Sequence, residues 1–406
     1  MFHSDQQRTG LTQDPTIGAS DASHLTVRWK ARATQSKLFV SSPAVAFNTD
    51  WGKPLVYSAT VSGTITARDL ATGAVVWAST GNGPIESSPA VVDNTVYIGT
   101  ESDRLLALNA TDGDLECSFS ASGEIIGSPV VGDVDGTGPV VFFGDDGASE
   151  AMNAGHEWAV NGVGNTDGAC TQRWAFDDWK SRGASGDRTG SWSPPALATD
   201  STGRPLLVFG SSDPDDAVYA LDARTGQLVW RFQTKITDAD ADVGAAPTIG
   251  RPGLNGFPHG VVYIDGKDKI EYAIDLLTGT GIWKVNLANR AAILGVDALS
   301  TAALVGNRII VPYARYLFSL NAKTGVQAWR STRANGFYFS SPAVSGAPGA
   351  QVIIIGDTSG EERAYRLNDG TQTFELKTAG AIYSSAAVAF GTVLFGANDG
   401  YLYALS

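Results

Sequence analysis

An eleven-residue signature, Ala-x-Asp-x-x-Thr-Gly-x-x-x-Trp, recurs around the chain at Ala67–Trp77, Ala220–Trp230 and Ala273–Trp283, and slightly altered at Ser319–Trp329. Worn copies lie at Ala107–Cys117, Ala364–Phe374 and, with an insertion, Ala159–Trp174. A unit this short cannot bury its own apolar face, so it must stack on its neighbours. A second motif, Ser-Ser-Pro-Ala-Val, runs in step at Ser41–Val45, Ser87–Val91 and Ser340–Val344, with variants that bring the copies to eight. Trp29, Trp77, Cys117, Trp174, Trp230, Trp283, Trp329 and Phe374 make eight Trp-type positions. Between them lie apolar runs of strand length, such as Thr95–Ile98 and Val352–Ile355, bounded by Gly, Asp or Asn. Roughly four strands per 40–57-residue repeat predict an all-β, eight-bladed β-propeller. The chain ends on half a signature, Tyr401–Ser406, while His24–Trp29 supplies a strand and its Trp. The two termini are therefore expected to share one blade, which removes exposed sheet edges.

The signature's chemistry is structural. Thr-Gly makes a turn in which Gly takes positive φ, the Asp bonds the turn backbone, and the Trp packs between blades. A length of 406 residues would ordinarily suggest two or three domains, but the repeat points to one propeller over 1–406 with an N-terminal extension over about 1–23. A net charge of −13 argues against nucleic acid and anionic membrane surfaces as partners. No stretch approaches the ~18 apolar residues of a membrane span. The polar start, Met1–Gly10, is no signal peptide, and a secreted or periplasmic protein trimmed of one is the expectation. Cys117 and Cys170 lie on neighbouring repeats, where they are either a disulfide or two buried thiols. No Cys-x-x-Cys-His attaches haem, and four histidines give little basis for a zinc or copper centre.

Function on a repeat scaffold sits where the repeat breaks. The long loops follow Trp174, Trp230 and Trp283, and an insertion covers Gly144–Gly168, so all irregularity falls within 144–302. These segments carry acids: Asp145, Asp146 and Glu150; Asp213, Asp215 and Asp216; Asp238, Asp240 and Asp242. Carboxylates gathered from three blades are oxygen ligands for a hard cation. Asp133–Gly138 resembles the start of a calcium loop but lacks its closing Glu and reads as a hairpin turn.

At this point the chain resembles the pyrroloquinoline-quinone (PQQ) dehydrogenases, eight-bladed quinoproteins, and among them most the polyvinyl-alcohol dehydrogenase type. Glu150 stands nine residues before Ala159, where the family has its metal-binding Glu. Asp178-Trp179-Lys180 leads to Trp192, the match to the family's quinone-stacking Trp. Ser212-Asp213-Pro214 puts Asp213 where the family has a metal-binding Asn. Asp240 matches the catalytic Asp, Asp242 the extra carboxylate of lanthanide-preferring members, and Lys267 the basic residue against the quinone. The family's adjacent cysteine pair is missing, and Ala239 stands in place of a Trp.

The resemblance implies Ca²⁺ or a lanthanide on Glu150, Asp213, Asp240 and Asp242, with PQQ between Trp192 and Lys267. Asp240 would take the proton of an alcohol substrate while hydride passes to the quinone. Electrons would leave to an external acceptor such as a cytochrome c. The repeat alone does not imply a cofactor, because it also resembles that of an outer-membrane assembly lipoprotein. The alternatives are therefore a non-catalytic binding or assembly propeller and a hydrolase or lyase that uses the acids without quinone.

Overall fold

The computed structural model describes residues 2–33, 38–147, 155–177, 190–212, 215–235, 241–291, 299–332 and 334–406. Eight antiparallel four-stranded sheets follow one another. Blade 1 comprises Ala44–Asn48, Lys53–Ala59, Ile65–Asp69 and Val75–Ser79; blade 2, Ala90–Val92, Thr95–Thr100, Arg104–Asn109 and Leu115–Ser120. Blade 3 comprises Val130–Gly132, Val140–Gly144, Glu157–Asn161 and Gln172–Phe176; blade 4, Ala196–Thr199, Pro205–Gly210, Ala217–Asp222 and Leu228–Gln233. Blade 5 comprises Thr248–Gly250, Val261–Ile264, Ile270–Asp275 and Gly281–Asn286; blade 6, Ala303–Val305, Arg308–Tyr313, Tyr316–Asn321 and Gln327–Arg330. Blade 7 comprises Ala343–Ser345, Val352–Gly356, Glu361–Arg366 and Gln372–Lys377. Blade 8 has Ala387–Ala389, Thr392–Ala397 and Tyr401–Leu405, and Val27–Arg32 completes it by pairing with Tyr401–Leu405. The innermost strands touch in sequence, and the first touches the last, so the ring is closed. This is the eight-bladed propeller with shared termini that the repeats predict.

The signature docks each blade on the next. The Trp indoles lie on the following blade's Thr-Gly turn: Trp29 on Gly73, Trp77 on Gly113, Trp230 on Gly279. A Cβ on Gly279 would fall 2.7 Å from the Trp230 ring, and its φ is +70°, so both space and backbone demand glycine. Each indole Nε1–H also donates across the seam, Trp77 to the Ala110 carbonyl at 3.0 Å and Trp230 to Leu276 at 2.9 Å. Blade 2 has Cys117 at this position, and it is bonded to Cys170 of blade 3 with 6.0 Å between Cα atoms. A covalent link thus replaces indole docking at that seam.

The Ser-Ser-Pro motif forms a second set of links, nearer the axis. The motif's second hydroxyl accepts the N–H of its counterpart on the preceding blade: Ser88 from Ser42 (2.9 Å), Ser128 from Ser88 (2.9 Å), Thr301 from Ala246 (3.0 Å). Ser341 accepts from Thr301 (3.0 Å), Ser385 from Ser341 (2.8 Å) and Ser42 from Ser385 (2.8 Å). Blade 4 has Pro194 at that position and blade 5 has Ala246, so the two links flanking blade 4 are missing.

The N-terminal residues thread the channel. The N–H groups of Leu197, Ile249, Leu304 and Val344 donate to the carbonyls of Gln6, Gln7, Thr9 and Gly10 at 2.7–2.9 Å. Arg8 is wholly buried, and its guanidinium donates to the carbonyls of Phe2, Ser128, Pro129 and Pro195. Four oriented carbonyls offset the cost of burying that charge.

Candidate functional site

One residue per blade forms a collar at the end of the channel where the inner strands begin. Each stands two residues before the motif's second hydroxyl position. Val40, Glu86, Ile126 and Trp192 come from blades 1–4, and Gly244, Leu299, Phe339 and Tyr383 from blades 5–8. They line a cleft of about 90 Å³, with Phe2 against its wall. Seven of the eight collar residues escape sequence reading because their types differ from blade to blade. The signal that finds them is position relative to Ser-Ser-Pro, not composition.

Trp192 is the collar residue of blade 4, the blade that lacks both motif links. Its indole lies against Gly244, where a Cβ would fall 1.7 Å from the ring, so no other residue fits there without moving the indole. The Trp192 Nε1–H donates to Asp242 Oδ2 at 3.3 Å. Lys267 Nζ lies 2.7 Å from the same oxygen and 5.6 Å from the centroid of the Trp192 ring. The Lys267 N–H donates to the Asp242 carbonyl at 2.9 Å, which ties the two loops together. Side-chain exposures of 15% for Lys267 and 11% for Asp242 shield this pair from water and strengthen it. Trp192, Asp242 and Lys267 are therefore brought together. Glu150, Asp213 and Asp240 lie outside the described residues.

Asp146, one of the loop acids, and Glu86 and Glu101, which the sequence did not single out, stand beside this group. Burial, then the neighbouring Asp242, Asp145 and Glu124, push the Asp146 carboxyl up to about 6, with Lys267 opposing. Burial and Glu124 raise Glu86; burial, Glu86 and Glu124 raise Glu101. This end of the channel concentrates negative charge, which attracts cations.

Two acids of the expected acidic loops are structural. Asp145 is wholly buried and accepts from Ser122 N and Oγ, Gly123 N, Trp158 Nε1 and His156 N. Asp215 accepts from Ser211 Oγ (2.8 Å), Tyr219 Oη (2.6 Å) and Arg231 (2.7 Å). Asp268–Tyr272 and Asp399–Tyr403 repeat the Asp-to-Tyr bond at the same spacing, each at 2.6 Å. It is a blade-building contact. Among the described residues, no group of three or more His, Cys, Asp or Glu is placed to hold a metal ion. No helix among them is long and apolar enough to cross a membrane.

The ring, its signature and its collar define a PQQ-like eight-bladed propeller. The family profile described as outer membrane protein assembly factor BamB matches residues 61–154 and 214–406, and the chain belongs to that family. The profile leaves out 155–213, the stretch that carries Trp192. The outer membrane protein assembly factor BamB of Yersinia pestis is 23% identical over 377 residues, covering 88% of this chain and 83% of that protein. The dehydrogenase subunit of a quinone alcohol dehydrogenase from Acetobacter aceti is 34% identical over 140 residues, 31% of this chain and 19% of that protein. A europium-containing methanol dehydrogenase superposes with a TM-score of 0.78 at 15% identity, covering 100% of this chain and 97% of that one.

Proposed function

We propose that this chain is a binding and assembly scaffold of the cell envelope, built on a PQQ-like propeller. The observation that carries this is sequence coverage: sequence likeness to an assembly factor runs over 88% of the chain, while sequence likeness to quinone alcohol dehydrogenase subunits spans 31–36% of it. The site's own chemistry supports the same reading. Asp242 already holds Lys267 and the Trp192 indole. The surrounding Glu86, Glu101, Glu124 and Asp146 repel one another, and such a pocket disfavours a ligand that itself carries carboxylates.

One observation favours a second reading. Trp192, Asp242 and Lys267 converge from separate loops, and their chemistry fits an aromatic platform, an acidic metal ligand and a basic contact for a quinone. On that reading the chain is a quinoprotein dehydrogenase oxidising an alcohol, with Ca²⁺ or a lanthanide on Asp242, Glu150, Asp213 and Asp240. The bound quinone would supply the hydride acceptor. Trp192 would hold its plane, Lys267 would stabilise negative charge on its oxygens, and Asp240 would take the alcohol's proton.

Purified protein mixed with PQQ and either Ca²⁺ or La³⁺, then desalted, separates the two. The scaffold reading expects no quinone absorbance with the protein and no alcohol-dependent dye reduction. Retained absorbance together with dye reduction would overturn it in favour of the dehydrogenase.

A further inference from the structure

The N-terminal segment leaves part of the channel wall uncovered. Leu197, Ile249, Leu304 and Val344 occupy one equivalent position, five residues after the collar residue of each blade. Each directs its N–H into the channel and gives it to the N-terminal main chain. Val131 and Leu197 also present carbonyls that accept the Gln6 and Gln7 side chains at 2.7 and 3.0 Å. The equivalent residues of blades 8, 1 and 2 are Val388, Val45 and Val91, paired to their second strands in the same register. An antiparallel residue that turns its N–H and C=O away from one neighbour offers both to the other side. Val388 meets the segment through its carbonyl, which accepts Thr12 Oγ1 at 2.7 Å. Among the described hydrogen bonds between the segment and the inner strands, none reaches Val45 or Val91. Burial follows the same division. Ala196, Leu197 and Ala198 of blade 4 and Ala303–Val305 of blade 6 are buried, but Val45, Ala46, Val91, Val92, Ala387 and Ala389 are only half-buried.

At this place lies a cavity of about 610 Å³ between Thr12–Thr16 and the inner strands of blades 8 and 1. Its wall is Ala44, Val45, Ala387 and Val388, with Phe390, 56% exposed, at the rim. Its lining carries one carboxylate, Asp14. The Asp14 carboxylate is taken by the N–H groups of Gly391 and Thr16, and burial pulls the His3 pKa down to about 4, which leaves the imidazole neutral near pH 7.

We infer that this cleft binds an extended, uncharged polypeptide segment of another protein, paired through its main chain to the inner strands of blades 8 and 1. The occupant's chemistry is set by the wall. Small apolar side chains leave room for alternate residues of a strand, and open main-chain edges are recognised by strand addition. The precedent is in the same ring, where residues 6–12 cross blades 4–7 and take one inner-strand N–H from each, with a parallel bridge between Leu11 and Val344. The inference deepens the scaffold reading by naming the kind of partner. Its test is nonetheless separate, since quinone retention concerns the collar around Trp192, which shares only Phe2, Ser42 and Ser385 with this cleft.

The probe is a fluorescein-labelled, capped peptide of alternating Thr and Val, followed by anisotropy, with amide shifts read on the full chain. Saturable binding is expected, with shifts at Val45 and Val388. A peptide N-methylated at alternate residues should bind at least tenfold more weakly, as should wild-type peptide to the Ala387→Phe protein. Absence of saturable binding would overturn the inference. So would equal affinity of the N-methylated peptide, which needs no folded variant to interpret. Shifts confined to the Trp192 end would also overturn it. A failure here leaves the quinone test untouched, and retained quinone would refute the scaffold reading whether or not peptide binds.

Discussion

At the scale of single residues, the seams between blades are where the fold is most sensitive. Trp77 buries its indole on Gly113 and donates across the seam to Ala110. Trp77→Ala removes both and leaves a cavity, a change of the class that costs about 3–5 kcal/mol. Denaturant unfolding should show a loss of that size, and a loss under 1 kcal/mol would refute the docking role. Glu362 makes the opposite prediction. It is wholly buried, both carboxylate oxygens lack a hydrogen-bond partner, and burial with Asp357 raises its pKa well above the usual carboxylate range. The unfolded chain ionises near the ordinary value while the native group keeps its proton. Stability is therefore lost as pH climbs from the ordinary value toward the raised one. Glu362→Gln should raise the melting temperature more at pH 8 than at pH 4. A pH-independent effect would mean that the carboxyl does not titrate in this way.

Among elements, three devices hold neighbouring blades: indole docking, the hydroxyl links near the axis and the disulfide. The disulfide closes a loop of 53 residues. Restricting the unfolded chain over that length stabilises by about 4 kcal/mol in the loop-entropy account. A Cys117→Ser/Cys170→Ser protein should lose about that much, measured by denaturant unfolding under non-reducing conditions. Reductant should weaken wild type and leave the variant unchanged. Equal sensitivity of both proteins to reductant would exclude the bond as the cause. The hydroxyl links fail on both sides of blade 4, and Trp192 takes the space beside Gly244 there. The site occurs where the ring's own bonding has been given up.

For the whole molecule, the ring was readable because its signals are periodic. Asp, Thr-Gly and Trp recur at fixed spacing, and each has a local task that the structure repeats seam after seam. Strand pairing of the termini followed from the half-signature at Tyr401–Ser406. The site was less readable. Trp192, Asp242 and Lys267 were reached through family likeness, since nothing in their spacing places three loops together. Asp145 and Asp215 looked like ligands because acids in loops look alike in sequence; burial and hydrogen bonding distinguish them. Asp146 and Glu86 gain importance only from neighbours distant along the chain. The path of residues 2–12 along the inner strands had no local signal, because its partners there are main-chain N–H and C=O groups that carry no residue identity.

On the scaffold reading, Asp242, Lys267 and Trp192 form a closed group and not a cofactor seat. A crystal structure of the protein grown with PQQ and Ca²⁺ tests it most directly. The account predicts Lys267 still on Asp242 and no planar density over the Trp192 indole. A quinone stacked on that indole, with Lys267 turned toward it, would contradict the account.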